Sequence, residues 1–89
     1  MIVSHELTHT FAALGDPTRF AILSKLATDG DMTVQEIAKP FAMSLPAVSQ
    51  HLKVLKECGL IRGDVDGPRV CYCIEPRALR RLKALIGSL

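Results

Sequence analysis

Three small groups of side chains carry polar or nucleophilic chemistry at a repeating spacing. Pro46, Ser49, Gln50 and Lys53 recur at helical spacing, so on a helix they would share one face, while Val48, Leu52 and Leu55 form a second, apolar face. Lys53 is the only charge among the four. A face built merely for solvation more often holds Glu and Lys, whereas Ser and Gln suit hydrogen bonds to base edges, and Lys53 suits phosphate or guanine. These four residues alone do not separate the two readings. Cys71 and Cys73 alternate within a run of period two and project from one side of a strand. Both could ligate one metal ion, or one could react with an oxidant or a sulfur species. A direct bridge between them would be strained, because their spacing lies near the upper Cα separation of about 6.8 Å for a disulfide. His5 and His9 have the spacing of a helical zinc pair but no third ligand, and read as exposed histidines. Cys58, next to Gly59, reads as a packed, inert thiol. No nucleophile-base pair, phosphate-binding glycine loop or carboxylate pair assembles an enzyme site, so the expectation is a non-enzyme without cofactor.

The elements that must position these groups are punctuated clearly. Leu7, Phe11 and Leu14 give a first short helix over residues 5 to 14, ended by Gly15. Asp16-Pro17 caps and opens a second, whose apolar residues are Phe20, Ile22, Leu23, Leu26 and Ala27. Thr33-Val34-Gln35-Glu36 is a capping box for a third, kept short by Pro40, which biases Lys39 away from helical angles. Ser44 caps a fourth helix that tolerates Pro46 in its first turn and stops near Cys58 at Gly59. Beyond Gly59 the period becomes two. Leu60-Ile61-Arg62 and Val70 to Ile74 form a hairpin around Asp66-Gly67, its tip flanked by Arg62 and Arg69. Glu75-Pro76 opens a last helix with Leu79, Leu82, Leu85 and Ile86 on one stripe and Arg77, Arg80, Arg81 and Lys83 around it.

Eighty-nine residues suffice for one domain, residues 1–89, and exclude a catalytic barrel or a dinucleotide-binding sheet. The apolar share of 48 % is high for so small a chain and suggests further burial against a second copy. The net charge of +2 is unevenly spread: residues 1–44 are net acidic, and residues 45–89 hold Lys53, Lys56, Arg62, Arg69, Arg77, Arg80, Arg81 and Lys83 against four acidic groups. An anionic partner would dock on that second half. No leader-like start and no membrane-length apolar run is present, and three cysteines do not make a disulfide scaffold, so a cytoplasmic protein without membrane partner is expected.

The order helix, helix, short helix, capped helix, hairpin, helix is that of a winged helix-turn-helix, mainly α with a two-stranded β wing. The strings Phe11-Ala-Ala-Leu-Gly-Asp-Pro-Thr-Arg-Phe-Ala-Ile-Leu23 and Ser44-Leu-Pro-Ala-Val-Ser-Gln-His-Leu-Lys-Val-Leu-Lys-Glu-Cys-Gly-Leu-Ile61 closely resemble the ArsR/SmtB family of bacterial winged-helix repressors, over about residues 7 to 87. The resemblance implies a homodimeric regulator of transcription that binds a double-stranded DNA operator, usually a repressor released by an inducer, here unknown. It places Ser44, Pro46, Ala47, Ser49, Gln50, His51 and Lys53 on or beside the recognition face, with Arg62 and Arg69 on the wing. His51, between the two faces, is open to packing or to a phosphate contact. The dimer interface would use the first and last helices, through Leu7, Phe11, Leu14, Leu79, Leu82, Leu85 and Ile86. Many members sense metals through cysteines at the start of the recognition motif or Asp/His pairs on the last helix. This chain departs from both patterns: residues 36–45 hold no cysteine and residues 75–89 no histidine or aspartate, so no metal site of either kind is expected. Two alternatives stay open: a thiol- or metal-responsive repressor using Cys71 and Cys73, and a winged helix kept for protein interaction without DNA.

Overall fold

The computed structural model describes residues 5–87, the side chains of residues 5–9, 66, 85 and 86 excepted. Its elements run α1 (His5–Leu14), α2 (Pro17–Asp29), β1 (Met32–Thr33), α3 (Val34–Ala38), α4 (Leu45–Glu57), β2 (Ile61–Asp66), β3 (Arg69–Ile74) and α5 (Pro76–Gly87), with a 3-10 turn at Lys39–Phe41 before α4. The helix starts follow the sequence signals. The Asp16 carboxylate accepts the amides of Thr18 at 2.8 Å and Arg19 at 3.1 Å, with Pro17 opening α2. Thr33 and Glu36 make both bonds of the capping box on α3. The Ser44 hydroxyl accepts the Ala47 amide at 3.3 Å, and Pro46 falls in the first turn of α4. That helix closes on Gly59 at φ 75°, the Leu60 amide reaching the Leu55 carbonyl and the Gly59 amide that of Lys56, each at 3.0 Å. These are the two bonds of a Schellman closure, which needs a left-handed residue where glycine stands.

Two local expectations are corrected, the strand count and the angles of Lys39. The sheet has three strands in the order β1-β3-β2, because Met32 and Thr33 pair antiparallel with Tyr72 and Cys71. Two residues are too short to show a period, and only distant pairing makes them a strand. Lys39 keeps right-handed helical angles, φ −50° and ψ −49°, although Pro40 follows. Its amide still reaches the Gln35 carbonyl, Pro40 sits at the start of the 3-10 turn where it loses no bond, and the change of direction falls on Ala42 at φ 52°. On α2, Ile22 and Leu26 are buried and Leu23 packs beside them, but Phe20 and Ala27 are exposed. Phe20 lies two residues from Ile22, about 200° around the helix, and so points away from the core.

One core holds Ala13, Ile22, Leu26, Met32, Ile37, Ala38, Val48, Leu52, Leu55, Leu60 and Ile61. Val48, Leu52 and Leu55 are no more than 1 % exposed. Each such leucine contributes on the order of 1.5–3 kcal/mol of burial, which fixes the rotation of α4 about its axis and turns its other face outward. Tyr72 and Ile74 lean on this core from β3. The opposite face of the sheet carries Thr33, Arg62, Asp64, Cys71 and Cys73, aligned by the register Arg62↔Cys73 and Asp64↔Cys71.

Candidate nucleic-acid interface

The outward face of α4 is assembled from the residues that its sequence spacing grouped. Ser44, Pro46, Ser49, Gln50 and Lys53 are all exposed, and Ala47 is half-buried beside them. Among the described residues no side-chain bond is made by Ser49, Gln50 or Lys53, all three exposed, whereas Ser44 is engaged in its cap. His51 is half-buried at the margin of this face. The Asp16 carboxyl pKa lies below its ordinary value, first because of the Arg19 amide, with the charge of His51 the smallest contribution.

The two wing arginines are not equivalent, contrary to the expectation that both flank the tip. Arg69 pairs in register with Asp66 at the last step before the turn, where Gly67 takes φ 63°. Arg62 stands near the base of the hairpin, opposite Cys73. Its Nε donates to the Cys73 sulfur at 3.2 Å, and its guanidinium lies 3.6 Å from Asp64 and 3.9 Å from Glu75. These neighbours raise the arginine pKa, the Cys73 sulfur first. The Cys73 thiol in turn donates to Asp64 at 3.8 Å. Arg62 is thus committed to its own sheet. At the tip Val65 and Val70 oppose each other on the core-side face but beyond the core, 75 % and 39 % exposed. The sequence did not separate this outer apolar pair from the strand's inner residues, because alternation gives the face of a residue but not its height along a hairpin.

Arg69 meets a residue that the sequence reading used only as a cap. Its Nη2 lies 3.4 Å from the Glu36 Oε1, the same oxygen that accepts the Thr33 amide at 3.2 Å and the Thr33 hydroxyl at 2.9 Å. The Thr33 amide, then the Thr33 hydroxyl, hold the Glu36 carboxyl below its ordinary pKa against the opposing effect of desolvation, with the Arg69 charge adding a smaller push in the same direction as Thr33.

The two stripes assigned to dimerisation are partly in view. Phe11 on α1 and Leu79 on α5 are 48 % and 39 % exposed. Leu14 packs on the core of its own chain and Leu82 is half-buried. The side chains of Leu7, Leu85 and Ile86 lie outside the described residues, as do those of His5 and His9. Of α5, Ala78 is the described residue that packs against the core. Cys71 and Cys73 are free thiols, and Cys58 packs against the core as expected. Among the described residues no three His, Cys, Asp or Glu side chains converge as metal ligands. No described helix is long and apolar enough to cross a membrane.

Residues 16–62, which run from the cap of α2 into β2, match the model of the bacterial regulatory protein, arsR family. The chain is 45 % identical over 71 residues to the HTH-type transcriptional regulator Rv2034 of Mycobacterium tuberculosis, covering 80 % of this chain and 65 % of that one. It is 36 % identical over 74 residues to the transcriptional repressor SdpR of Bacillus subtilis, covering 83 % and 81 %. Among solved structures, the ArsR family transcriptional regulator RHA00566 superposes with a TM-score of 0.83 at 36 % identity, covering 99 % of this chain and 91 % of that one. The homodimeric winged helix-turn-helix DNA-binding domain of Mb0332 from Mycobacterium bovis gives a TM-score of 0.78 at 32 % identity, covering 93 % and 76 %. The likeness therefore runs through the cap signals, the polar helix and the wing alike, and the chain belongs to the arsR family of bacterial transcriptional regulators with a winged helix-turn-helix fold.

Proposed function

We propose that residues 1–89 act as one DNA-binding domain, that two copies associate through α1 and α5, and that the dimer represses transcription from a pseudo-palindromic operator. The observation that carries this reading is the exposed face of α4: Ser49, Gln50 and Lys53 stand clear of the chain on a helix locked by Val48, Leu52 and Leu55. On this reading α4 enters the major groove, with Gln50 and Ser49 at base edges and Lys53 at guanine or phosphate. Ser44 and Pro46 bring the helix start to the backbone, and Ala47 allows a close approach. Arg69 meets the flanking phosphates, whereas Arg62 braces the wing from its base. The likeness to SdpR, a transcriptional repressor, and to the homodimeric domain of Mb0332 supports repression and pairing here.

Fluorescence anisotropy on the protein's own promoter and on a random duplex, each with a salt titration, tests the reading. Tight, salt-dependent binding that favours the promoter is expected, and affinity indifferent to salt and sequence would sink it. Gln50→Ala should cost about 1–3 kcal/mol on the promoter and little on the random duplex. Arg69→Ala should weaken binding to both about equally.

A further inference from the structure

The wing arginine assigned to phosphate is already held by a carboxylate of the helix-turn-helix. Arg69 Nη2 lies 3.4 Å from Glu36 Oε1, with the two side chains 63 % and 51 % exposed, so DNA can reach the pair. The same carboxylate oxygen is anchored by the Thr33 amide and hydroxyl, which leaves Glu36 little freedom to follow a moving arginine. Thr33 is itself paired with Cys71 in the sheet, two residues from Arg69. A carboxylate and a phosphate make the same demand on a guanidinium, two acceptor oxygens for its N–H fork.

We propose that Glu36 is a built-in competitor for the DNA backbone: in the free protein it occupies the Arg69 guanidinium, and on binding Arg69 exchanges this carboxylate for a phosphate. Glu36 thereby limits affinity at the wing without touching bases, and so leaves discrimination to α4. This inference rests on the reading of Arg69 as a backbone contact. The penalty is modest, because an exposed ion pair of this kind changes an equilibrium by about twofold to fivefold at most. Such a brake suits a regulator that must leave its operator, since it lowers binding to all DNA alike.

The test is a double-mutant cycle read as DNA affinity against salt, on the promoter and on a random duplex, for the wild type, Glu36→Gln, Arg69→Gln and the double variant. Glutamine keeps an acceptor oxygen for the Thr33 amide, so the α3 cap survives, and thermal melting of each variant checks this. Glu36→Gln should tighten binding to both duplexes by about twofold to fivefold and steepen the salt dependence by up to about 0.9 in slope, while leaving their ratio unchanged. In the Arg69→Gln background the same substitution should do nothing. An equal gain in both backgrounds overturns the proposal, since Glu36 would then repel DNA generally. A loss of affinity with unchanged melting also overturns it, since Glu36 would then hold Arg69 in its productive pose. Failure of the underlying reading shows separately: Arg69→Gln alone would bind as the wild type does.

Discussion

Asp16 and Glu36 show one carboxylate serving two tasks. Each caps a helix by accepting backbone amides, and each also faces a cation, Arg19 for Asp16 and Arg69 for Glu36. The pKa of both carboxyls lies below the ordinary values of 3.8 and 4.5, the first cause being a backbone amide in each case, from Arg19 and from Thr33. The sign of the pH effect follows. A carboxyl that is more acidic folded than unfolded stabilises the fold above its unfolded pKa, and that stabilisation fades as pH falls through the folded value. Stability should therefore be flat from neutrality to about pH 5 and fall below it, where the unfolded chain takes up protons first. Thermal melts between pH 6 and pH 3 check this: Asp16→Asn should melt lower than the wild type at pH 6, and the gap should narrow toward pH 3. A gap that stays constant across the range would mean that the asparagine loses packing rather than charge.

At the level of elements, the turns on either side of α4 make opposite use of the left-handed region. Gly59 at φ 75° closes the helix, and a methyl added there would meet nothing within 4 Å. Gly59→Ala should thus destabilise through its backbone angle alone, by about 1–2 kcal/mol in denaturant titration. Ala42 at φ 52°, between the 3-10 turn and α4, already bears that strain. Ala42→Gly relieves it but adds freedom to the unfolded chain, about 0.5–1 kcal/mol, so it should be neutral or stabilise by up to about 1 kcal/mol. The sequence showed Gly59 and not Ala42, and the contrast marks what is legible in such a chain. Caps, glycine stops and apolar spacing act within a few residues, and they placed α1 to α5, the hairpin and the polar face of α4. The strand β1, the reach of Arg69 to Glu36 and the seat of Arg62 at the base of the wing depend on residues thirty or more positions apart, or on the depth of a hairpin against the core. No local pattern records these, and the pair Thr33 and Glu36 was complete as a capping box before its second task could be seen.

The whole molecule is longer than a compact chain of its size. Its radius of gyration is 13.5 Å with extents of 44 × 24 × 20 Å, against about 12 Å for 89 compactly folded residues. The excess goes with elements that stand off the core: the outer end of the wing, where Val65 is exposed, and α5, whose Ala78 packs inward while Leu79 faces solvent. An amphipathic helix whose described residues pack on its own core through Ala78 is a poor source of stability for a monomer. Pairing two copies through Phe11 and Leu79 would bury this surface and fix the separation of two α4 helices, which a palindromic site requires to be about one turn of DNA or a multiple. Stability and DNA affinity should then both depend on protein concentration. Leu79→Asp tests the coupling, since it sets a charge in the proposed contact and leaves the core residues in place. Sedimentation should show the wild type as a dimer and the variant as a monomer with an unchanged far-ultraviolet spectrum. Promoter affinity should fall by more than tenfold, while binding to a half-site duplex should change little. A monomeric wild type that binds the full site tightly would refute the assignment of α1 and α5, and with it the reading of their apolar stripes as one surface.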